Sequence, residues 1–492
     1  MMQREKICAV LGLARTGIPA ARFLAERGAQ VVGYDDRSFE ELSDEARALQ
    51  ELGVELRVGP DHNFAGLEEC TLIVLSPGLK IHHEPLKSVL ARCEAHGAEV
   101  IGELEMAARH CPAPMIAVTG TKGKSTTVKL IEEMLRACGI DAVRCGNTGI
   151  PLIAELPRLS SQSWAVVEVS SFQLEKAPTL KPRVAVLLNL LEDHQDYHPS
   201  LEQYWATKLK LFANQDENDA AVFNCSDAKT EDFALTCGCG IGSELRYEWN
   251  GTKARQFKTS GQELPLPDAQ EMGVCGRDGF LGWNLEYEFV PVIEYSQIPL
   301  RGSHNHDNVA AALAAVYAVL GEKDALINRE VIAGAIRNFQ SLPHRLEIVG
   351  EVGGITYVND SQATIPEAAM RALLAFPAPV TLIAGGRAKL ENADAFDALG
   401  RAVAANAHGL VTIGEAAQRL EEAARRAGMA DEKIVRGQEL TKAVELATMA
   451  TPQGGTIVLS PACASFDQFS SYEARGEAFR QAVERLKQRK NC

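Results

Sequence analysis

Short apolar runs that end in a turn and restart as a helix recur along this chain, and no other feature restricts its fold as much. Residues 115–118 read as a buried strand, Thr119-Gly120-Thr121-Lys122-Gly123-Lys124-Ser125-Thr126 follows, and 125–138 has the pattern of a helix. Towards the N-terminus, 7–11 reads as a strand, 19–27 as a helix, and 30–34 and 72–75 as further strands. Towards the C-terminus, 355–358, 380–384, 410–413 and 456–459 are strand-like and separated by helical stretches. Parallel strands need crossovers of this kind, and a sheet covered on both faces has strands that are apolar throughout. The expectation is an α/β protein built on parallel sheets.

At 492 residues the chain exceeds one ordinary core, and about three domains are expected. Cys111-Pro112-Ala113-Pro114 and Ser341-Leu342-Pro343-His344 interrupt the rhythm and read as joints. They divide the sequence into 1–111, 112–341 and 342–492. The first and last segments have a Rossmann-like alternation. The middle one has the order of a P-loop ATPase-like domain, with a small β part over 245–249 and 285–290 and an alanine-rich helix over 308–319.

A net charge of −15 argues against sequence-independent binding to nucleic acid, which needs a basic surface, but leaves room for a locally basic pocket. No apolar run approaches the roughly 18 residues of a membrane span. The first residues run into a strand without the long apolar core of a signal peptide, so a cytoplasmic location is expected, with a monomer as the default. The twelve cysteines form no CxxC pair and no zinc-ligand spacing, so reduced structural thiols are expected.

The strand–loop–helix at 115–138 has the context of a phosphate-binding loop. Glycines let backbone N–H groups close around phosphate oxygens, the helix start favours negative charge, and Lys124 is placed to reach the terminal phosphates. Ser125, directly after that lysine, takes the usual place of a Mg²⁺-binding hydroxyl. The spacing Gly120-x-x-Gly123-Lys124 is shorter than the general pattern, and outside this context it would be a glycine-rich helix cap. Two later strands end in acid: 164–169 carries Glu168 near its end, and 184–190 leads into Glu192-Asp193-His194. Parallel strands present their C-termini on one edge, so these groups should converge on the loop, where carboxylate and imidazole can hold Mg²⁺.

Taken in order, these motifs resemble the Mur ligase superfamily. The match includes 120–126, Gly146-Asn147-Thr148-Gly149, the run 168–175, Glu192-Asp193-His194, Ala206-Thr207-Lys208-Leu209, and Gly302-Ser303-His304-Asn305 with Asn308. It continues through Pro343-His344-Arg345, Asn359-Asp360-Ser361 and 460–469. Each piece alone is unspecific; the ordered set spans nearly the whole chain. The runs 169–173 and 460–469 resemble the glutamate-adding branch, and the Asp-Asn-Pro-Arg motif expected of the diaminopimelate-adding branch is absent from the sequence.

The resemblance implies an ATP-dependent ligase that adds D-glutamate to UDP-N-acetylmuramoyl-L-alanine in peptidoglycan precursor synthesis. By that resemblance Gly120, Thr121, Lys122, Gly123, Lys124, Ser125 and Thr126 would bind ATP, completed by Asn305, Asn308, Arg345 and Asp360. Two Mg²⁺ sites would fall to Ser125, Glu168, His194 and a carbamylated Lys208, with Lys124, His194 and Lys208 serving catalysis. Gly12, Thr16, Gly17, Asp35, Arg37, Ser76 and Gly78 would hold the UDP end of the precursor, and Asn147 its sugar–peptide end. Thr364, Lys389, Ser465 and Tyr472 would surround the incoming amino acid.

Read by residue type alone, several of these positions stay open. Gly12-Leu13-Ala14-Arg15-Thr16-Gly17 lacks the middle glycine that lets backbone meet a pyrophosphate, and fits either nucleotide contact or tight-turn packing. Another ligase of the superfamily (a different Mur step with a different amino acid, or a folylpolyglutamate synthase), a nucleotide sensor without chemistry and an NAD-dependent oxidoreductase are the alternatives. Ser200-x-x-Gln203 is a capping box that predicts a helix over 201–213, where Lys208 would ordinarily be a solvated face residue. Lys122 stands where the superfamily often has asparagine. Gln362 stands where the glutamate-adding branch often has lysine, keeping hydrogen-bonding capacity but losing the charge.

Overall fold

The computed structural model describes residues 7–193, 197–236, 243–248, 273–285, 288–300, 302–340, 342–388 and 394–491. Contacts divide the chain into two compact units, residues 1–299 with 303–339, and residues 300–302 with 340–492.

The first unit contains two sheets. One has five parallel strands in the order Glu55–Val58, Gln30–Asp35, Ile7–Leu11, Leu72–Leu75, Glu99–Gly102. Its pleat sends Cys8 and Val10 to one face, against Ala20, Phe23 and Leu24, and Ala9 and Leu11 to the other, against Val89 and Leu90. The strand order changes direction between Ile7–Leu11 and Leu72–Leu75, which leaves a crevice beyond their C-terminal ends.

The second sheet runs Phe289–Glu294, Phe280–Asn284, Gly273–Arg277, Ser243–Glu248, Ala220–Asn224, Val184–Leu187, Met115–Thr119, Trp164–Glu168, Ala142–Gly146. Neighbours are parallel from Gly273–Arg277 to Ala142–Gly146, and the two strands at the other end pair antiparallel. Met115–Thr119 is buried throughout between Trp164–Glu168 and Val184–Leu187. The residues that follow these three strands therefore emerge side by side on one edge. The two sheets share an apolar core and a polar seam, in which the Gly102 N–H donates to the Lys176 carbonyl (2.6 Å) and the Thr179 N–H to buried Glu105 (3.1 Å).

In the second unit the sheet order is Glu347–Val352, Ile355–Asn359, Thr456–Leu459, Val380–Gly385, Gly409–Ile413, Ile434–Gln438; the first pair is antiparallel and the rest parallel. Val358, Leu382, Leu410 and Val458 fill one face, Tyr357, Ile383, Val411 and Ile457 the other. Both faces are covered, as the continuous apolar runs require.

Several elements depart from their expected bounds. The helix expected over 308–319 starts at Ser303 and reaches Ile327, broken at Gly321, whose φ of 72° lies outside the helical region. Of the run expected as one strand over 285–290, Phe289 and Val290 open the strand Phe289–Glu294, which pairs antiparallel with Phe280–Asn284, while Leu285 lies just past the latter; residues 286–287, and Trp249 of the other β expectation, lie outside the described residues. The helix expected over 201–213 ends at Leu209 and tightens into a 3₁₀ turn, Lys210–Phe212, which buries Leu211 and Phe212. Among the described residues no helix is long and apolar enough to cross a membrane.

Candidate active site

The loop 120–123 joins Met115–Thr119 to the helix Lys124–Ala137. Gly120 has φ +148, and a Cβ there would stand 2.9 Å from the Leu188 Cβ, so no larger residue fits. Asn189, just past the next strand, fastens the loop. Its Oδ1 accepts from the backbone N–H of Thr121 (3.0 Å) and Lys122 (2.9 Å), and its Nδ2 donates to the Lys122 carbonyl (3.0 Å). The Thr121 hydroxyl donates to the Leu191 carbonyl (3.2 Å) and accepts from the Leu191 N–H (3.0 Å) and the Tyr204 hydroxyl (3.3 Å).

Two lysines share one acceptor. Lys124 Nζ donates to the carbonyls of Gly120 (2.9 Å) and Thr121 (3.0 Å), and Lys208 Nζ donates to Gly120 as well (2.9 Å). Lys208 is 2% exposed and lies 4.6 Å from the Tyr204 ring centroid. It is not a solvated helix-face lysine, because its helix turns that side onto the loop. Burial, and then the charges of Lys124 and Lys122, hold its amine well below the usual lysine range against the pull of Asp193. Lys122 reaches the other way, to Asp193 (3.0 Å).

Glu168, buried at the end of its strand, accepts from Thr148 Oγ1 (2.8 Å) and Asn147 Nδ2 (3.2 Å), and its carbonyl accepts the Asn147 N–H (2.8 Å). Ser125 is buried at the head of the helix, with Thr126 half-buried beside it. Asn308 Nδ2 donates to Asn305 Oδ1 (2.9 Å), and Thr127 Oγ1 donates to Asn308 Oδ1 (3.4 Å), which brings both asparagines against the start of that helix. His194 lies outside the described residues. The oxygen donors of Ser125 and Glu168 suit a hard divalent cation. Mg²⁺ is such a cation, an ion that keeps waters and takes phosphate oxygens.

At the first sheet's crevice the Ser76 hydroxyl donates to the Gly12 carbonyl (2.7 Å) and accepts from Thr16 Oγ1 (3.3 Å). Gly78 follows in the left-handed region at φ 85°. Asp35 accepts from the Leu13 N–H (2.7 Å) and from Arg37 Nε (2.8 Å) and Nη2 (2.8 Å). Burial pushes its carboxyl up, but these bonds outweigh burial and leave it below the usual carboxylate range. Arg15, which sequence reasoning passed over, leaves this loop and donates to the carbonyls of Asn147 and Gly149 (3.1 Å for the latter), joining the two loop systems.

In the second unit Asp360 is buried and accepts from Ser460 Oγ (2.7 Å) and the Leu346 N–H (3.2 Å); burial pushes its carboxyl up to about 7. Arg345 Nε donates to the Gln362 side-chain oxygen, which accounts for a neutral acceptor at 362: a lysine there would face the guanidinium. Thr364 is half-buried, Ser465 is buried, and the Tyr472 ring stands edge-on to His344 at 6.2 Å. Lys389 lies outside the described residues. Arg475 was also missed. It is 1% exposed and donates to Ser361 Oγ (3.0 Å) and to the carbonyls of Ser361 (2.9 Å), Cys463 (3.1 Å) and Ala464 (3.2 Å), tying together two loops that carry expected site residues.

Residues 6–102 match the Mur ligase MurD-like N-terminal domain, 118–316 the Mur ligase middle domain, and 344–463 the Mur ligase glutamate ligase domain. A curated relative, the UDP-N-acetylmuramoylalanine–D-glutamate ligase of Pelotomaculum thermopropionicum, is 37% identical over 484 residues, covering 98% of each chain. This chain belongs to the Mur ligase family, in its MurD branch. As a Mur ligase it is an ATP-dependent enzyme of peptidoglycan precursor synthesis. Solved Mur ligases share its fold. MurC from Thermotoga maritima aligns with a TM-score of 0.57 at 16% identity, over 98% of this chain and 99% of that one. MurF from the same organism, in complex with ADP, gives 0.54 at 17% identity over 85% and 95%.

Proposed function

We propose that this Mur ligase joins D-glutamate to UDP-N-acetylmuramoyl-L-alanine through an acyl phosphate, the roles of its domains following the three segments 1–111, 112–341 and 342–492. The observation that carries the mechanism is the convergence of Lys124, Lys208 and Glu168 around one phosphate loop. The alanyl carboxylate attacks the γ-phosphorus of ATP and ADP leaves. The amine of glutamate then attacks the acyl carbon, and phosphate departs as the tetrahedral intermediate collapses. Lys124 and the N–H groups of 120–126 neutralise the phosphoryl oxygens, so catalysis is positioning and electrostatics. Ser125, Glu168, His194 and Lys208 would hold Mg²⁺, which supplies charge neutralisation on the transferring group.

A buried amine beside Lys124 is poorly placed as a cation, and as a neutral amine its nitrogen can bond to the carbon of CO₂ while one N–H proton passes to solvent. The resulting carbamate changes the sign of its charge and turns repulsion by Lys124 into attraction. Asn305, Asn308, Arg345 and Asp360 take the rest of the nucleotide. Gly12, Thr16, Gly17, Asp35, Arg37, Ser76 and Gly78 take the UDP end of the precursor, and Asn147 its sugar–peptide end. Thr364, Lys389, Ser465 and Tyr472 take glutamate. The enzyme acts in the cytoplasm as a monomer.

Phosphate release is measured with ATP, Mg²⁺ and the precursor, offering D-glutamate, L-glutamate and other amino acids separately. Release specific to D-glutamate, with the extended nucleotide seen by mass, is expected. Release with another amino acid moves the specificity, and none at all overturns the proposal.

A further inference from the structure

The loop Gly120-x-x-Gly123-Lys124 has two residues fewer between its glycines than the general phosphate-loop pattern. A shorter loop has fewer backbone N–H groups to wrap round a phosphate, so its bend needs another support. The next strand supplies one. Asn189 Oδ1 accepts from the N–H of Thr121 (3.0 Å) and of Lys122 (2.9 Å), two donors converging on one oxygen as they would on an anion. Its Nδ2 donates to the Lys122 carbonyl (3.0 Å), and its own carbonyl also accepts from the Thr121 N–H (3.1 Å).

Asn189 is itself held from behind. The Leu188 N–H donates to the Thr119 carbonyl (3.0 Å), and buried Asn224, at the end of the adjoining strand Ala220–Asn224, donates through Nδ2 to the Leu188 carbonyl (2.8 Å). A Cβ on Gly120 would stand 3.2 Å from the Asn189 backbone nitrogen, so the loop lies directly on this segment. Fixing Thr121 and Lys122 also fixes the Gly120 carbonyl before them, the acceptor shared by Lys124 and Lys208 (2.9 Å each). All these bonds are made within the protein. The bend therefore needs no nucleotide to hold it, and binding pays less ordering entropy.

We propose that Asn189 is a positioning residue for the nucleotide, its side-chain oxygen doing at Thr121 and Lys122 what phosphate oxygens do in longer loops; the inference rests on the ATP site proposed above and narrows it. The phosphates are left to Gly123 and the start of the helix Lys124–Ala137, where helix N–H groups and the Lys124 amine favour an anion. The position calls for an amide. A carboxylate would keep the acceptors but lose the donor, and would set a negative charge against the triphosphate.

The test is amide hydrogen exchange resolved to single residues on the full chain, with calorimetric binding of ATP with Mg²⁺ and of UDP, and thermal unfolding. In the wild type the Thr121 and Lys122 amides should be protected before any ligand is added. Asn189→Ala should speed their exchange by about tenfold or more and weaken ATP by about tenfold, the scale of one or two lost hydrogen bonds, with UDP affinity within about twofold of wild type. Asn189→Asp should keep the protection yet bind ATP less tightly, because the acceptors remain and the charge is new. Freely exchanging amides in the wild type overturn the proposal. So does Asn189→Ala with protection and ATP affinity unchanged, or, should that variant not fold, Asn189→Asp with the protection lost. A joint loss of ATP and UDP binding with a lowered unfolding midpoint also overturns it, since that marks a structural group. Failure of the wild-type chain to bind ATP would instead overturn the site reading on which the proposal rests.

Discussion

Loops 12–17 and 120–123 leave a central parallel strand and enter a helix in the same manner, yet their surroundings are opposite. The first is closed upon itself. A Cβ on Gly17 would strike the Gly12 carbonyl, the Ser76 hydroxyl is spent on that same carbonyl, and the nearest acid, Asp35, is neutralised by Arg37. The second is ringed by ammonium groups, two of which share the Gly120 carbonyl while the third pairs with Asp193. Helix starts after glycine loops favour anions in either case. On the function proposed above, the neighbouring charges separate a loop that would hold a diphosphate from one that would serve phosphoryl transfer.

The largest break in that comparison should come from Lys124→Ala. Turnover should fall by about 10³-fold or more, the scale of removing a cation from a transferring phosphoryl group. Its amine bonds to the part-buried loop carbonyls of Gly120 and Thr121, so the unfolding midpoint should fall little. Measured kcat above about a tenth of wild type would mean that the second loop is no more than a binding turn.

Lys208→Met should come next, with about 10²-fold loss of kcat and no loss of thermal stability, since it removes a buried amine that is unfavourable as a cation. Wild-type activity should also drop in CO₂-depleted buffer and return with bicarbonate. Activity indifferent to CO₂ rules out the carbamate, while leaving Lys208 as a support for the Gly120 carbonyl.

Much of this contrast was legible in the sequence, and what was not has a physical reason. Apolar runs such as 115–118 and 184–190 marked the strands, because strands buried on both faces carry no alternation to confuse them. The loop lysine and Glu168 followed from strand ends sharing an edge. Lys208 was placed on a helix correctly, but periodicity gives a face and not what packs on it. Asn189 had a faint signal as the polar residue interrupting 184–191, whereas Arg475 sits in a helix rich in charge, where a buried guanidinium leaves no mark.

The smallest effect should come from the first loop. Asp35→Asn keeps the shape but removes the charge that Arg37 and the Leu13 N–H address, so the precursor KM should rise by about tenfold while kcat and the ATP KM stay near wild type. A fall in kcat equal to the rise in KM would place Asp35 in the chemistry and erase the distinction between the loops. The acid limb of stability offers a second readout. The folded carboxyl titrates below its unfolded value of 3.8, so its stabilisation is fully present above that pH and is lost as pH falls through the folded value. The variant lacks that contribution, so its deficit in unfolding midpoint should be largest at neutral pH and shrink in acid. A deficit that is flat with pH would mean that Asp35 positions Arg37 by shape rather than by charge.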